Sequence, residues 1–192
     1  MVDELPFTPN EDANRLLAAE PFAVMVGMLL DQQVPMEWAF QAPAILRERL
    51  GGQLDAGKLA AMGEDAVVQV FVEKPALHRY PASMGKRAHA LCVALSEDYD
   101  GDAAKIWSDA ETGAELLKRL LALPGFGPDK ARIFTAVLGK RLGVRPDGWE
   151  AAAAPFGDEQ RRSVADADSP EHLEEVRAWK KMMKAKGKGK AD

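Results

Sequence analysis

The chain has 192 residues, of which 47% are hydrophobic, and a formal net charge of −5 at pH 7. This composition predicts a protein that buries its own core, and the single cysteine, Cys92, excludes a disulfide framework or a site built from several thiolates. No stretch approaches the roughly 20 apolar residues of a membrane span, and the acidic N-terminus is unlike a secretory signal. We therefore expect a protein of the reducing cytoplasm with no membrane partner.

Apolar residues recur at spacings of three and four along nearly the whole chain, which predicts an all-α fold. Ser83 and Ser108 are predicted N-caps because serine accepts hydrogen bonds from the first turn of a helix. The predicted helices cover residues 10–19, 21–32, 36–49, 55–61, 64–72, 84–98, 109–121, 128–141, 158–165 and 170–185.

Three regions follow one another along the chain. Residues 1–150 are predicted to form the functional core, with a two-helix hairpin over 116–141, and residues 151–179 a helical segment that packs on this core. Residues 180–192 are rich in lysine and are predicted to be a basic flexible tail, with a DNA-contacting arm as the alternative. Because the net charge is negative, any binding of nucleic acid must depend on local basic patches.

The most informative segment is LPGFG, Leu123–Gly127, between two amphipathic helices. Two glycines allow a sharp turn with positive φ, while Phe126 packs back into the core. The second helix starts at Pro128, and its unpaired N–H groups and positive dipole end form an anion site. An ordinary turn between helices is the alternative. The residues predicted to bind the phosphate backbone of DNA are Gly125, Phe126, Gly127 and Lys130.

Together with other segments, this hairpin resembles the helix-hairpin-helix, Gly/Pro-Asp superfamily of DNA glycosylases, which includes endonuclease III and the adenine glycosylase. MLLDQQVPMEWAF, Met28–Phe40, is similar to the family's early helix and Gln-containing turn, and SMGKRAHAL, Ser83–Leu91, to a helix start before the hairpin. The resemblance covers about residues 20–150. It implies a two-lobed helical fold that acts as a monomer on duplex DNA containing a damaged or mismatched base.

The resemblance also implies a catalytic carboxylate 22 residues beyond the first hairpin glycine, and this position is Asp147, in a predicted Pro-Asp-Gly loop. Hydrolysis of an N-glycosidic bond builds positive charge on the sugar, which a carboxylate can stabilise while it orients water. Asp31, a base-pocket candidate at the end of the early helix, is the next choice. The alternative for Asp147 is an ordinary turn residue.

Two features in which this sequence differs from the family's pattern indicate which type of glycosylase the resemblance implies. The family's Schiff-base lysine lies two residues after the second hairpin glycine, and Asp129 occupies that position here. A monofunctional glycosylase that uses water is therefore implied. A single cysteine cannot provide the several thiolate ligands of the iron–sulfur cluster that endonuclease III carries. No metal site is predicted. The resemblance implies at most a monovalent cation at the hairpin.

An enzyme that turns a base out of the duplex must fill the gap that the base leaves. Gln32 and Gln33 match the family's plug position, and Met84 is a weaker wedge candidate. Trp38 and Trp149 are candidates to stack the extruded base, although tryptophan is more often a core residue. The main alternative to an enzyme is a helix-hairpin-helix module that binds DNA without catalysis.

Overall fold

The structure is a computed structural model that describes residues 2–187. These residues form helices and no strand, and one isolated bridge joins Thr112 to Asp147. The all-α prediction is therefore confirmed. The helices are α1 (Glu11–Ala19), α2 (Pro21–Leu30), α3 (Met36–Arg49), α4 (Ala56–Met62), α5 (Glu64–Val72), α6 (Pro81–Tyr99), α7 (Gly113–Ala122), α8 (Pro128–Arg141), α9 (Trp149–Ala152) and α10 (Pro170–Ala185), with 3₁₀ helices at Ala103–Ile106 and Val164–Asp166.

The predicted helix over 158–165 is wrong. Residues 158–163 form bends and irregular backbone, and a short 3₁₀ helix begins only at Val164. The side chains of two aspartates bond the backbone here: Asp158 accepts from Gln160 N at 3.0 Å, and Asp166 accepts from Ser163 N at 3.0 Å. These local bonds satisfy N–H groups that a helix would have bonded to carbonyls.

Both predicted N-caps are also wrong. Helix α6 begins at Pro81, before Ser83, because proline suits the first helical position. Helix α7 begins after Thr112, whose hydroxyl accepts from Glu115 N at 3.2 Å, so Ser108 caps nothing in this helix.

The helices form two packing groups that meet at α2. In the first group α6 packs against α4 and α5, and α3 packs against α1 and α2. In the second, α7, α8 and α9 pack against one another, and α8 packs against the 3₁₀ helix Val164–Asp166, which in turn contacts α10. Helix α2 also packs against α8, and nine of its ten residues are buried. Its sequence is apolar all round, as a helix buried on every side requires.

Among the described residues, no single helix has both the length and the hydropathy of a membrane span. Only α1 and α2 taken together pass that test, as a pair bent by 115°.

Candidate nucleic-acid interface

The two glycines of the turn between α7 and α8 have different backbone conformations. Gly125 has φ +84°, and a Cβ at this position would lie 2.4 Å from Cδ1 of Leu29, so glycine alone lets the turn sit against the end of α2. Gly127 has φ −75° and is the N-cap of α8, and a Cβ there would meet nothing within 4 Å. The prediction of positive φ is therefore right for Gly125 and wrong for Gly127.

Phe126 packs into the core, as predicted. Its ring is 3% exposed and lies 5.9 Å from the ring of Phe134, centroid to centroid. Its N–H donates to the carbonyl of Leu123 at 3.2 Å, so this amide does not point at a ligand and Phe126 does not fit its predicted contact with DNA. The exposed N–H groups of the turn that donate to no residue within 2–187 belong to Gly125, Gly127 and Asp129.

Gly127 and Asp129 lie at the start of α8, where the helix dipole is positive, and Gly125 lies two residues before Gly127 in the preceding turn. N–H groups with this orientation bind anions such as phosphate. Two carbonyls of the same turn accept hydrogen bonds: Leu123 O from Phe126 N, and Gly127 O from Ala131 N. The turn therefore offers donors for an anion, and the monovalent cation implied at the hairpin stays a prediction.

Lys130 points inward rather than towards solvent. Its Nζ donates to the carbonyl of Leu29 at 2.5 Å, across 101 residues of sequence. Leu29 lies in the last turn of α2, where carbonyls lack a partner within the helix. Lys130 therefore holds the hairpin against α2, which corrects its prediction as a direct phosphate contact.

Gln32 has every polar atom of its side chain engaged. Its Nε2 donates to Leu29 O at 2.9 Å and to Met84 Sδ at 3.3 Å, and its Oε1 accepts from Arg87 Nη1 at 2.9 Å. These contacts join the end of α2, the start of α6 and, through Lys130, the hairpin. We call Leu29, Gln32, Met84, Arg87 and Lys130 the Gln32 junction.

The geometry separates the two predicted plug residues. Gln32 is fixed in the junction, whereas Gln33 is exposed and has φ +57°, a conformation that costs a residue with a Cβ about 1–2 kcal/mol. Of the two glutamines, Gln33 is therefore the one that remains exposed. Met84 is 3% exposed and lies beneath Gln32, so it belongs to the core and does not present the wedge that was predicted.

A row of rings lies next to the junction. His78 is 1% exposed, and its ring centroid lies 6.4 Å from that of Trp38 and 6.1 Å from that of Tyr80. Trp38 is 37% exposed and Tyr80 45%, so both keep ring surface open to a ligand. No sequence pattern indicates a role for His78 or Tyr80, because neither residue stands in a recognisable motif.

The hydrogen bonds of His78 define its tautomer. Its Nδ1 accepts from Tyr80 N at 3.0 Å, so Nε2 carries the proton and donates to Gln32 O at 3.0 Å. Burial lowers the pKa of His78 from its ordinary value of 6.5, which favours this neutral form. The imidazole therefore supports the backbone of the Gln32–Gln33 turn.

The two candidate carboxylates lie in different surroundings. Asp31 is 6% exposed and follows α2, where its N–H donates to Gly27 O at 3.0 Å. Asp147 is exposed; its N–H donates to Glu111 O at 3.2 Å and its carbonyl accepts from Gly113 N at 2.8 Å. Asp147 is thus held by its backbone at the start of α7, while the hairpin follows the other end of that helix, roughly 15 Å away along the axis.

Asp147 borders a shallow groove of about 400 Å³ between α7 and α9. The groove is lined mainly by small and aliphatic side chains: Ala114, Leu117, Leu121, Ala151 and Ala152. Within the described residues, no hydrogen bond or ion pair joins Asp147 to the Gln32 junction. The structure therefore brings the hairpin, the Gln turn and α6 together, and leaves Asp147 outside this cluster.

Trp149 is a core residue and does not present a stacking surface. It is 7% exposed, and its ring covers Gly139, where a Cβ would lie 2.3 Å from the indole. The guanidinium of Arg145 lies over the same ring at 6.0 Å. Of the two tryptophans predicted to stack a base, only Trp38 has an open face.

No known protein family matches the chain, and no curated protein matches it. The case for a function therefore rests on the residues and their geometry.

Proposed function

We propose that this protein is a monofunctional DNA glycosylase of the helix-hairpin-helix type, which turns a damaged or mismatched base out of duplex DNA and hydrolyses its N-glycosidic bond. The observation that carries the proposal is the Gln32 junction. Three segments that resemble the family, distant in sequence, contact one another there through Leu29, Gln32 and Lys130. The two packing groups joined by α2 agree with the two-lobed fold that this family implies.

Binding of the duplex follows from the groups that remain exposed. The N–H groups of Gly125, Gly127 and Asp129 bind a backbone phosphate, which positions the protein without reading sequence. Gln33 then fills the gap left by the extruded base, where its amide hydrogen-bonds the unpaired partner. Trp38 offers an aromatic face for an unstacked base.

The chemistry requires a carboxylate near the sugar, and Asp147 is our assignment. As the C1′–N bond breaks, the base leaves with the bonding electrons and positive charge develops on the sugar, which the carboxylate stabilises. Water forms the new C1′–O bond and gives its proton to the carboxylate or to solvent, and a base that leaves as an anion takes a proton from solvent. The product is an abasic site in an intact strand. The Lys130 amine, held on Leu29 O, takes no part in this step.

A non-catalytic DNA-binding module is the second candidate. The observation that favours it is the position of Asp147, which is exposed beside an apolar groove and has no described bond to the Gln32 junction. Such a module would keep the binding surface and lack base release. The glycosylase and the non-catalytic module would make the same contacts with the DNA backbone. They differ only in whether the carboxylate of Asp147 takes part in base release.

The experiment that tests the proposal is incubation of the protein with duplexes that each carry one lesion or mismatch, followed by hot alkali. We expect alkali-dependent cleavage at one lesion class, no cleavage without alkali, and no adduct trapped by borohydride. A trapped adduct that disappears in Lys130→Ala would overturn the monofunctional assignment. Tight binding with no base release from any duplex would establish the non-catalytic module.

A further inference from the structure

The charges of α10 are divided along its length. Its acidic residues all lie in the first half and its lysines all lie in the second half, with Arg177 as the last residue of the first half. Glu174 pairs with Arg177, and Glu175 pairs with Arg161. The basic residues of the second half that are exposed and form no ion pair with a residue in 2–187 are Lys181 and Lys184, and Lys186 follows them at the end of the helix.

The middle of α10 lies against the start of α3. Arg177 forms an ion pair with Glu37, and the Nζ of Lys180 lies 3.8 Å from the Sδ of Met36. Val176 and Met183 are buried on the same side of α10 as Lys180. The contacts of Arg177 and Lys180 therefore hold this helix next to the start of α3.

This position places the basic half close to the DNA-binding surface. Met36 comes three residues after Gln33, so Lys180 contacts the segment that follows the turn that we propose to enter the duplex, and Lys181 and Lys184 follow it on the same helix. The amides of the hairpin are uncharged, and Lys130 is engaged with Leu29. A protein of net charge −5 therefore needs cations elsewhere to neutralise phosphates.

We infer that the second half of α10 is a second contact with the DNA backbone, in which Lys181, Lys184 and Lys186 bind phosphates of the duplex held by the hairpin. This inference rests on the proposed function. The sequence predicted residues 180–192 to be a flexible tail, with a DNA-contacting arm as the alternative, and the inference favours that alternative. Residues 180–185 belong to α10, and residues 188–192 lie outside the described residues.

The test is the salt dependence of binding to a short labelled duplex between about 50 and 200 mM salt. The variants are Lys181→Gln/Lys184→Gln and, as a charge-matched control, Lys58→Gln/Lys105→Gln, whose lysines pair with Gln53 and Asp100. Each phosphate contact contributes about 0.9 to the slope of log K against log salt. We expect the α10 variant to have a slope flatter by about 1.8 and an affinity roughly five- to tenfold lower for each lysine near 0.1 M salt.

Two further readouts make the outcome decisive. The loss should be equal for intact and lesion-containing duplexes, since phosphate contacts carry no sequence information. Lys186 is the exposed C-cap residue of α10 and bonds the helix through its backbone N–H, which Lys186→Gln keeps; this variant should flatten the slope by about 0.9. A wild-type slope in these variants, with weaker binding in Gly127→Ala, would overturn the α10 contact alone. A wild-type protein that binds no duplex would overturn both this contact and the proposed function.

Discussion

The Gln32 junction and the Asp147 loop are held in place by different means. In the junction, side chains bond side chains and carbonyls from three separate segments, so the geometry depends on each residue's identity. In the loop, Asp147 is fixed by two backbone bonds to Glu111 and Gly113, and its carboxylate is exposed. The side chain of Asp147 can therefore be changed without loss of structure, whereas most junction residues cannot.

The largest effect is expected at the loop. Asp147→Asn should slow base excision by about 10²–10³-fold or more, since it removes the charge that stabilises the developing cation. Affinity for damaged DNA should be retained or improved, because the carboxylate repels phosphates in the ground state. The measurement is single-turnover base release from an established substrate, with binding measured in parallel.

Glu150→Gln is the matched control, because it removes one exposed carboxylate from the same segment. It should excise at the wild-type rate. Wild-type excision by Asp147→Asn would place the carboxylate elsewhere, and Asp31→Asn would then be the variant to measure.

The next effect separates the two hairpin glycines. Gly125→Ala should lower the free energy of unfolding by about 2–4 kcal/mol, because it puts a Cβ at positive φ and against Leu29. Gly127→Ala should cost less than about 1 kcal/mol, since its φ is ordinary and its surroundings are open. Denaturant unfolding of both variants measures the difference.

Gly127→Ala is also the cleaner test of the anion site. Its methyl group would occupy open space at the start of α8, where we propose that a phosphate binds, so the folded variant should bind all duplexes more weakly, whatever their sequence. Unchanged affinity in this variant would remove the hairpin amides from the DNA interface.

A smaller effect is expected for substitutions of Gln32 and Gln33, which should change stability and base excision differently. Gln32→Ala should lower the free energy of unfolding by about 1–3 kcal/mol, because Leu29, Met84 and Arg87 lose a partner. Gln33→Gly should leave stability unchanged or raise it by up to about 1 kcal/mol, since glycine tolerates φ +57°. Excision by Gln33→Gly should slow by roughly five- to tenfold, from the loss of about one hydrogen bond to the unpaired base.

The reverse pattern, with loss of stability in Gln33→Gly and loss of excision alone in Gln32→Ala, would show that the plug is Gln32. Thermal unfolding and single-turnover excision on the same preparations distinguish the two patterns.

The smallest effect concerns pH. Burial lowers the pKa of His78 below 6.5, so in the window between the folded and unfolded pKa values the unfolded chain binds more protons than the folded one. The contribution of His78 is therefore present above about pH 6.5 and decreases as pH falls. The difference in unfolding free energy between wild type and His78→Gln should shrink from pH 7 to pH 5. A constant difference would mean that His78 is not held neutral.

Local patterns predicted most of the fold. The three- and four-residue periodicity located α2, α3 and α8 within a residue or two, and the LPGFG turn placed the hairpin correctly. The helix over 158–165 was wrong because Asp158 and Asp166 bond the backbone in a way that composition does not indicate. Periodicity identifies helix-forming segments, and side-chain acceptors decide where helices end.

The site was less predictable because its contacts join distant residues. The bond from Lys130 to Leu29 crosses 101 residues, and no local pattern indicates that a lysine at a helix start points inward. Likewise, Trp149 is buried because Gly139 leaves room for the indole, a pairing that only the folded chain reveals. The glutamine turn was found from the resemblance, but which glutamine is exposed follows only from the bonds of Gln32.

The central claim is that the hairpin, the Gln33 turn and the basic half of α10 form one surface that binds duplex DNA. Backbone amide chemical shifts in NMR spectra, recorded as a lesion-containing duplex is added, test it most directly. We predict that the largest shifts occur together at Gln33, at the hairpin amides of Gly125, Gly127 and Asp129, and at Lys181 and Lys184. Shifts confined to the groove between α7 and α9, or no shifts at low salt, would contradict the claim.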